Sequence, residues 1–328
     1  MSIYSTAAAF FRERLARSWV PEYFASRGLT SESLERWQVG YAPRGRDELT
    51  RHLRDAGYGD ELILAAGLAS QRDAVTDLFR DRAMFPIRSP RGTVIAFIGR
   101  AAPSRGQGYP KYLNSPTTSL YAKKETLLGL WEARQPLSRG ALPVIVEGPL
   151  DVMAVAQADA GAGQYAPVAA CGSTLTASQV AALARAVDLA RAGVLVAFDS
   201  DRAGRRAAVS AYGALAGLAL RTRAMMMPPG YDPARLLGDH GQATLAFALK
   251  HCHRPLADLV TDAETVRWTR SLQFAEAQVT ALRAIAPAIA AMPPPDVARQ
   301  VARLAAYLGL DHALVTEAVS EAIAGQAP

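Results

Sequence analysis

The chain has 328 residues, half of them hydrophobic and a fifth charged, with a net charge of +6. That length allows two or three compact units with a real core, and the composition is that of an ordinary soluble globular protein. Two cysteines, Cys171 and Cys252, exclude a disulfide framework and a four-cysteine zinc site, and no apolar run approaches the ~20 residues of a membrane helix.

Residues 1–78 read as helical. Phe10, Phe11, Leu15 and Trp19 recur at the spacing of an amphipathic helix, which is a simpler reading of the N-terminus than a transit peptide, so a cytoplasmic chain is the default. "TSESLERW" offers Thr30 as an N-cap, and "GRDELTRHLRDAGYG" closes on Gly57 and Gly59. From Leu78 to about Pro116 the pattern changes. "AMFPIRSPRGTVIAFIGRAA" predicts two strands around a turn at Ser89, Pro90, Arg91 and Gly92, and the Gly/Ser/Pro-rich loop "APSRGQGYPKYLNSPTT" follows.

From Pro143 strands alternate with helices. "VIV" precedes a helix over 151–159, "APVAAC" precedes "ASQVAALARAVDLA", and "GVLVAF" precedes "AGRRAAVSAYGALAGLAL"; "RAMMMP" is a fourth strand. Short continuous apolar strands between helical patterns predict a parallel sheet covered on both faces. After about Asp232 the chain reads as helical to its end, with a break at "MPPPD".

Open parallel sheets bind ligands at the C-terminal ends of their strands. Glu147 ends the first strand of this unit, and Asp199 and Asp201, in "FDSDRAG", end the third. Alternate residues of an extended segment project to one side, so the two aspartates can face one point. Gly148 and Gly204 beside these acids permit close approach of backbone or ligand. Carboxylates crowded in this way raise one another's pKa unless a cation neutralises them. Oxygen ligands with no histidine nearby suit Mg²⁺ or Mn²⁺ rather than zinc. Taken singly, Asp201 could be an N-cap and Glu147 an ion-pair partner. Their joint placement at strand ends of one sheet, each followed by a helix, favours a divalent metal site.

Charge is concentrated elsewhere. Arg80, Arg82, Arg88, Arg91, Arg100, Arg105, Lys111, Lys123 and Lys124 stand against the single acid Asp81, a local net of +8 that exceeds the whole chain's +6. Tyr109, Tyr112 and Asn114 interleave with them and supply stacking and hydrogen bonds, so this basic shelf suits single-stranded nucleic acid better than a merely solvated face. His240, His251, Cys252 and His253 match no zinc-ligand spacing.

Here the residues carry a resemblance. "VIVEGPLDVMAVAQA", "ACGSTLT" and "VAFDSDRAGRRAA" resemble the Toprim domain, while "RDRAMFPIRSPRGTVIAFIGR", "PKYLNSP" and "KETLLGLWEA" are similar to the N-terminal half of the polymerase core of DnaG-type bacterial primases. The likeness runs from about Tyr23 to Leu237 and more loosely through the tail. It implies an α/β chain: a mixed α+β subdomain over 1–135, a Rossmann-like Toprim sheet over 136–238, and a helical bundle over 239–328. The activity implied is that of a nucleotidyltransferase, a DNA-directed RNA polymerase that makes short primers from ribonucleoside triphosphates on a single-stranded DNA template. Glu147, Asp199, Asp201 and Asp232 would hold two or more Mg²⁺ or Mn²⁺ ions and no zinc, with Asp151 supporting them. Arg82, Arg88, Arg100, Lys111, Tyr112, Asn114 and Lys123 would contact template or incoming nucleotide. Full-length primases of this type add a zinc-binding domain and a helicase-binding domain, so partners such as the replicative helicase or a zinc-binding domain would act in trans; no membrane is implied.

The chain departs from the family's pattern in three places. Pro149 stands where tyrosine is usual and Ser200 where glycine is usual, and "PPGYDPARLL" keeps Asp232 but puts Ala234 where the family has a second aspartate. The missing acid leaves open a non-catalytic, single-strand-binding replication accessory. A Toprim nuclease or topoisomerase is a third reading, with no need for "PKYLNSP".

Overall fold

The computed structural model describes residues 2–106, 108–172, 174–269 and 271–325; Gln107 of the predicted loop and Ser173 of "ACGSTLT" lie outside them. The N-terminal unit opens with three helices, α1 (Ile3–Glu13), α2 (Val20–Ser26) and α3 (Ser31–Arg36). Strand β1 (Gly40–Ala42), helices α4 (Glu48–Asp55) and α5 (Asp60–Ala65), and strands β2 (Ala69–Gln71) and β3 (Val75–Asp77) follow. Thr30 caps α3, its hydroxyl accepting from the Ser33 N–H. The three short strands correct the all-helical expectation for residues 1–78. Three residues carry no readable period, and β1 exists only because it pairs antiparallel with a distant strand, Gly40 opposite Met84.

That distant strand is β4 (Arg82–Arg88), which with β5 (Val94–Ala101) forms the predicted hairpin; β6 (Tyr112–Asn114) completes a four-stranded antiparallel sheet in the order β1-β4-β5-β6. The turn requires glycine at Gly92: φ is +84°, and a Cβ there would lie 2.5 Å from the Trp131 ring. Both faces of the hairpin are buried. Met84 and Phe97 pack beneath α1 with Phe10 and Phe11, while Phe85 and Ile98 turn to the other side and join the core of the second unit.

The second unit runs α6 (Leu130–Ser138), β7 (Leu142–Val146), α7 (Pro149–Ala158), β8 (Tyr165–Ala169), α8 (Ala177–Ala184) and α9 (Leu189–Ala192). It continues through β9 (Val194–Val196), α10 (Arg202–Ala214), β10 (Thr222–Met225), α11 (Pro233–His251), β11 (His253–Pro255) and α12 (Leu256–Thr265). Its sheet has the order β11-β10-β9-β7-β8, with β8, β7, β9 and β10 parallel as expected. Val144, Ile145 and Val146 are wholly buried because helices cover both faces. Residues of α7 and α11 share one core with the N-terminal hairpin, and those of α6, α8, α10 and α12 form a second core on the opposite face.

β11 corrects the expectation of helix throughout the region after Asp232. Its three residues pair antiparallel with β10, His253 opposite Met225, and that edge partner is invisible to local pattern. The predicted boundary at 238–239 falls inside α11, just before a kink where Gly241 has φ +80°. Helices α13 (Ala275–Ala290), α14 (Pro294–Leu308) and α15 (His312–Ala324) enclose a separate cluster including Leu282, Ile285, Leu304 and Val315, and "MPPPD" breaks α13 from α14. No described helix is long and apolar enough to cross a membrane.

Candidate functional site

A cleft of about 430 Å³ opens where the C-terminal ends of β7 and β9 face the N-terminal sheet. One wall is acidic: Glu147, Asp151, Asp199 and Asp232. The other carries Arg27, Arg100, Lys111 and Lys123 with Tyr23, Tyr112 and Asn114.

Each acid is placed by the local fold. Glu147 follows β7 directly, and its Oε1 accepts the Asp199 N–H (3.1 Å), which ties the ends of β7 and β9 together. Asp201 caps α10, accepting the Gly204 N–H at 2.8 Å. Gly204 must be glycine, since a Cβ there would sit 2.0 Å from the Asp199 carbonyl oxygen. Asp232 caps α11, and its Oδ1 lies 3.5 Å from Arg27 Nη2. Asp151, buried in the first turn of α7, accepts the Ala234 N–H at 3.2 Å. The N-termini of α7, α10 and α11 therefore converge on the acidic wall, where their dipoles favour negative charge.

The helix termini do not cancel the crowding. Burial pushes Asp199 up to about 7, assisted by the charges of Glu147 and Asp232 and opposed by Lys111. Burial first, then the Asp232 and Asp199 charges, hold Asp151 well above the usual carboxylate range. Glu147 is also raised, by burial and then by Asp201 and Asp232, against the Asp199 hydrogen bond and Lys111. Tyr112 is raised by burial and by the facing Asp151. These shifts describe an acidic wall short of positive charge. Its donors are all oxygens, which fits a hard divalent cation. Among the described residues no three His, Cys, Asp or Glu side chains already stand as a finished cage.

Most of the residues singled out from sequence line this cleft: Glu147, Asp151, Asp199, Asp232, Arg100, Lys111, Tyr112, Asn114 and Lys123. Three do not. Asp201 stands outside the lining, although Glu147 and Asp199 both feel its charge. Arg82 is 1% exposed: its Nη1 donates to the Gly99 and Pro110 carbonyls, and its guanidinium lies 4.5 Å from the Tyr109 ring centroid. It braces the loop leading to Lys111 from within. Arg88 pairs with Glu132 at 3.1 Å and donates to Gly92 and Gln38. Arg100 lines the cleft but is 8% exposed, its guanidinium donating to the Tyr23 hydroxyl and the Ala101 carbonyl. Asn114 donates to the Cys171 carbonyl.

Sequence reading missed Tyr23, Arg27 and the role of Asp81. Asp81, at φ +53° and 1% exposed, accepts from Trp19, Tyr41, Arg44 and Arg105. The one acid of the basic shelf is thus its internal anchor. Only an arginine followed by glycine at a helix end hinted at Arg27. The histidines disperse: His240 lies beside Tyr231, His251 against Phe247, and His253 in β11 beside Arg223.

Comparison with known proteins bears on the family and the fold. Residues 10–134 match the family described as DNA primase catalytic core, N-terminal domain, and residues 144–237 match one described as Toprim-like. The chain is 33% identical to the DNA primase of Streptomyces coelicolor over 325 residues, 96% of this chain and 49% of that protein. The chain spans about half the length, or less, of the curated relatives it matches. A crystal structure of a DNA primase domain from Pseudomonas aeruginosa superposes with a TM-score of 0.78 at 32% identity, covering 97% of this chain and all of that one. A DnaG primase catalytic domain bound to single-stranded DNA gives 0.76 at 30% identity, covering 95% and 96%.

Proposed function

Because the chain belongs to the family of DnaG-type DNA primase catalytic cores, we propose that it synthesises short RNA primers from ribonucleoside triphosphates on a single-stranded DNA template, working in the cytoplasm. One observation carries the reading: a single cleft sets four carboxylates against a wall of arginine and lysine. Nucleotidyl transfer needs that division, with anionic donors for cations on one side and cationic donors for phosphates on the other.

Bound Mg²⁺ or Mn²⁺, two or more ions, would supply neutralisation of the triphosphate and activation of the primer hydroxyl. Glu147, Asp199 and Asp232 are the residues proposed to hold them, with Asp201 at the rim and Asp151 beneath. The chain's own part is otherwise binding and orientation. Lys111 and Lys123 attract phosphate, and Tyr112, with Lys111 Nζ 5.7 Å from its ring centroid, offers a flat apolar surface beside them. Burial raises Asp199 to about 7 in the cation-free cleft, so a bound cation would favour its carboxylate form. Residues 1–135 would then serve as shelf, 136–238 as catalytic unit and the remainder as a helical unit. Replicative helicase or a zinc-binding domain are the partners proposed in trans.

The test is direct. Incubation with single-stranded DNA, labelled ribonucleotides and Mg²⁺ or Mn²⁺ should yield short RNA, and Glu147→Gln should abolish it while leaving single-strand binding nearly intact. A Glu147→Gln protein that polymerises like wild type removes the metal assignment. Ala234, buried at the edge of the cleft where the family offers a carboxylate, favours a second reading as a non-catalytic single-strand-binding accessory. Retained single-strand binding with no product from either ion would support that alternative.

A further inference from the structure

Asp232 differs from the other three acids of the cleft. Among the described residues it is the one member of that wall in an ion pair with a basic side chain, Arg27 Nη2 at 3.5 Å. The pair is partly sheltered, 28% and 23% exposed, so it is screened less than a surface pair. It is also incomplete. Arg27 Nε is buried with no hydrogen-bond partner among the described residues, so a guanidinium with five donors is held at Asp232 by one long contact.

The backbone that carries Arg27 is fixed. Gly28 has φ +73°, a Cβ on it would lie 3.1 Å from the Gly238 Cα, and a Cβ on Gly238 would lie 3.1 Å from the Arg27 carbonyl oxygen. The turn that ends α2 thus touches α11 at a glycine pair that admits no other residue without a shift. Arg27 emerges at a constant position beside the start of α11, while its side chain stays weakly committed. Ala234 sharpens the situation: it lies buried at the edge of the same cleft and offers no carboxylate, so Asp232 faces Arg27 without a second acid from its own limb.

We propose that Arg27 is a resident counter-cation of the Asp232 limb, which competes with a divalent ion for that carboxylate and leaves it when the ion binds. The inference rests on the reading of the acidic wall as a divalent-cation site. Its consequence is unequal loading: the Glu147–Asp199 side feels the Lys111 charge but holds no ion-paired basic side chain, whereas the Asp232 side must first lose its own.

Mn²⁺ alone, titrated into the full chain without DNA or nucleotide and followed by the electron paramagnetic resonance of the free ion, reads the competition directly. Arg27→Gln should tighten the weaker part of the isotherm about five-fold, equivalent to about 1 kcal/mol at 1.4 kcal/mol per tenfold. The same change in an Asp232→Asn background should do nothing. An Arg27→Gln isotherm identical to wild type, or weaker, overturns the inference. So does tightening that persists with Asp232→Asn, since a general change of field would act without that carboxylate. If wild type binds no Mn²⁺ that Glu147→Gln removes, the functional reading falls together with the inference, whereas binding indifferent to Arg27 sinks the inference alone. Should Arg27→Gln not fold, the wild-type protein still decides: the Arg27 Nε–Hε resonance must shift as Mg²⁺ is added, and one that stays put overturns the competition.

Discussion

Replacing Asp199 by asparagine should stabilise the cation-free protein at alkaline pH while destroying its chemistry. In the folded chain this carboxyl titrates at about 7 against an ordinary 3.8. Between those values the folded state holds a proton that the unfolded chain has lost. Stability from this group is therefore fully present below about 4 and is lost as pH rises through about 7. At about 1.36 kcal/mol per pH unit, the upper limit is about 4 kcal/mol. Asp199 lines an open cleft and shares its repulsion with Glu147 and Asp232, so solvent screening reduces the expected effect to about 1–2 kcal/mol. Asparagine cannot ionise. The variant should match wild type near pH 4 and exceed it by about 1–2 kcal/mol near pH 8.5. Urea unfolding with a chelator at both pH values measures this, and Mn²⁺ should then stabilise wild type but not the variant. An Asp199→Asn protein less stable at pH 8.5, or offset equally at both pH values, would refute the account of an under-neutralised acidic wall.

Changes elsewhere in the cleft test its other parts. Neutralising Lys111 and Lys123 together should flatten the slope of log affinity for single-stranded DNA against log salt by about 1.4, since each lost phosphate contact removes about 0.7; an unchanged slope puts both side chains off the nucleic-acid path. Arg82→Met should cost about 2–4 kcal/mol in urea unfolding, because one buried and one part-buried charge-assisted hydrogen bond and a stacked tyrosine are lost. A change below about 0.5 kcal/mol, the scale of ordinary surface substitutions, would contradict its role as a brace. Ala234→Asp should lower the Mg²⁺ midpoint of primer synthesis and narrow the advantage of Mn²⁺, because affinity in oxygen sites follows ligand charge. Equal midpoints would show that the missing acid lies outside the ion site.

Sequence reading reached the acids because their placement is a local matter. Val144, Ile145 and Val146 announce a buried strand, Glu147 follows at its end, and parallel sheets present their sites at that end. The β4–β5 hairpin was equally legible, since "SPRG" and two apolar runs encode it within twenty residues. Asp232 entered through the family resemblance, and the structure places it in the same cleft.

What the sequence alone determined, then, is the order of elements long enough to show a period and the residues that punctuate their ends. The tertiary structure decided which charges meet. Arg82, Arg88 and Arg100 look alike in a basic run, yet one is buried beneath Tyr109, one is paired with Glu132, and one reaches the cleft. Arg27 comes to Asp232 across 205 positions of chain because Gly28 and Gly238 let the turn after α2 touch α11. β1 and β11 form because β4 and β10 offer them open edges. The reason is common to all of these: apolar periodicity is written along the chain, whereas a charge or a three-residue strand takes its meaning from a partner, and partners are chosen through space.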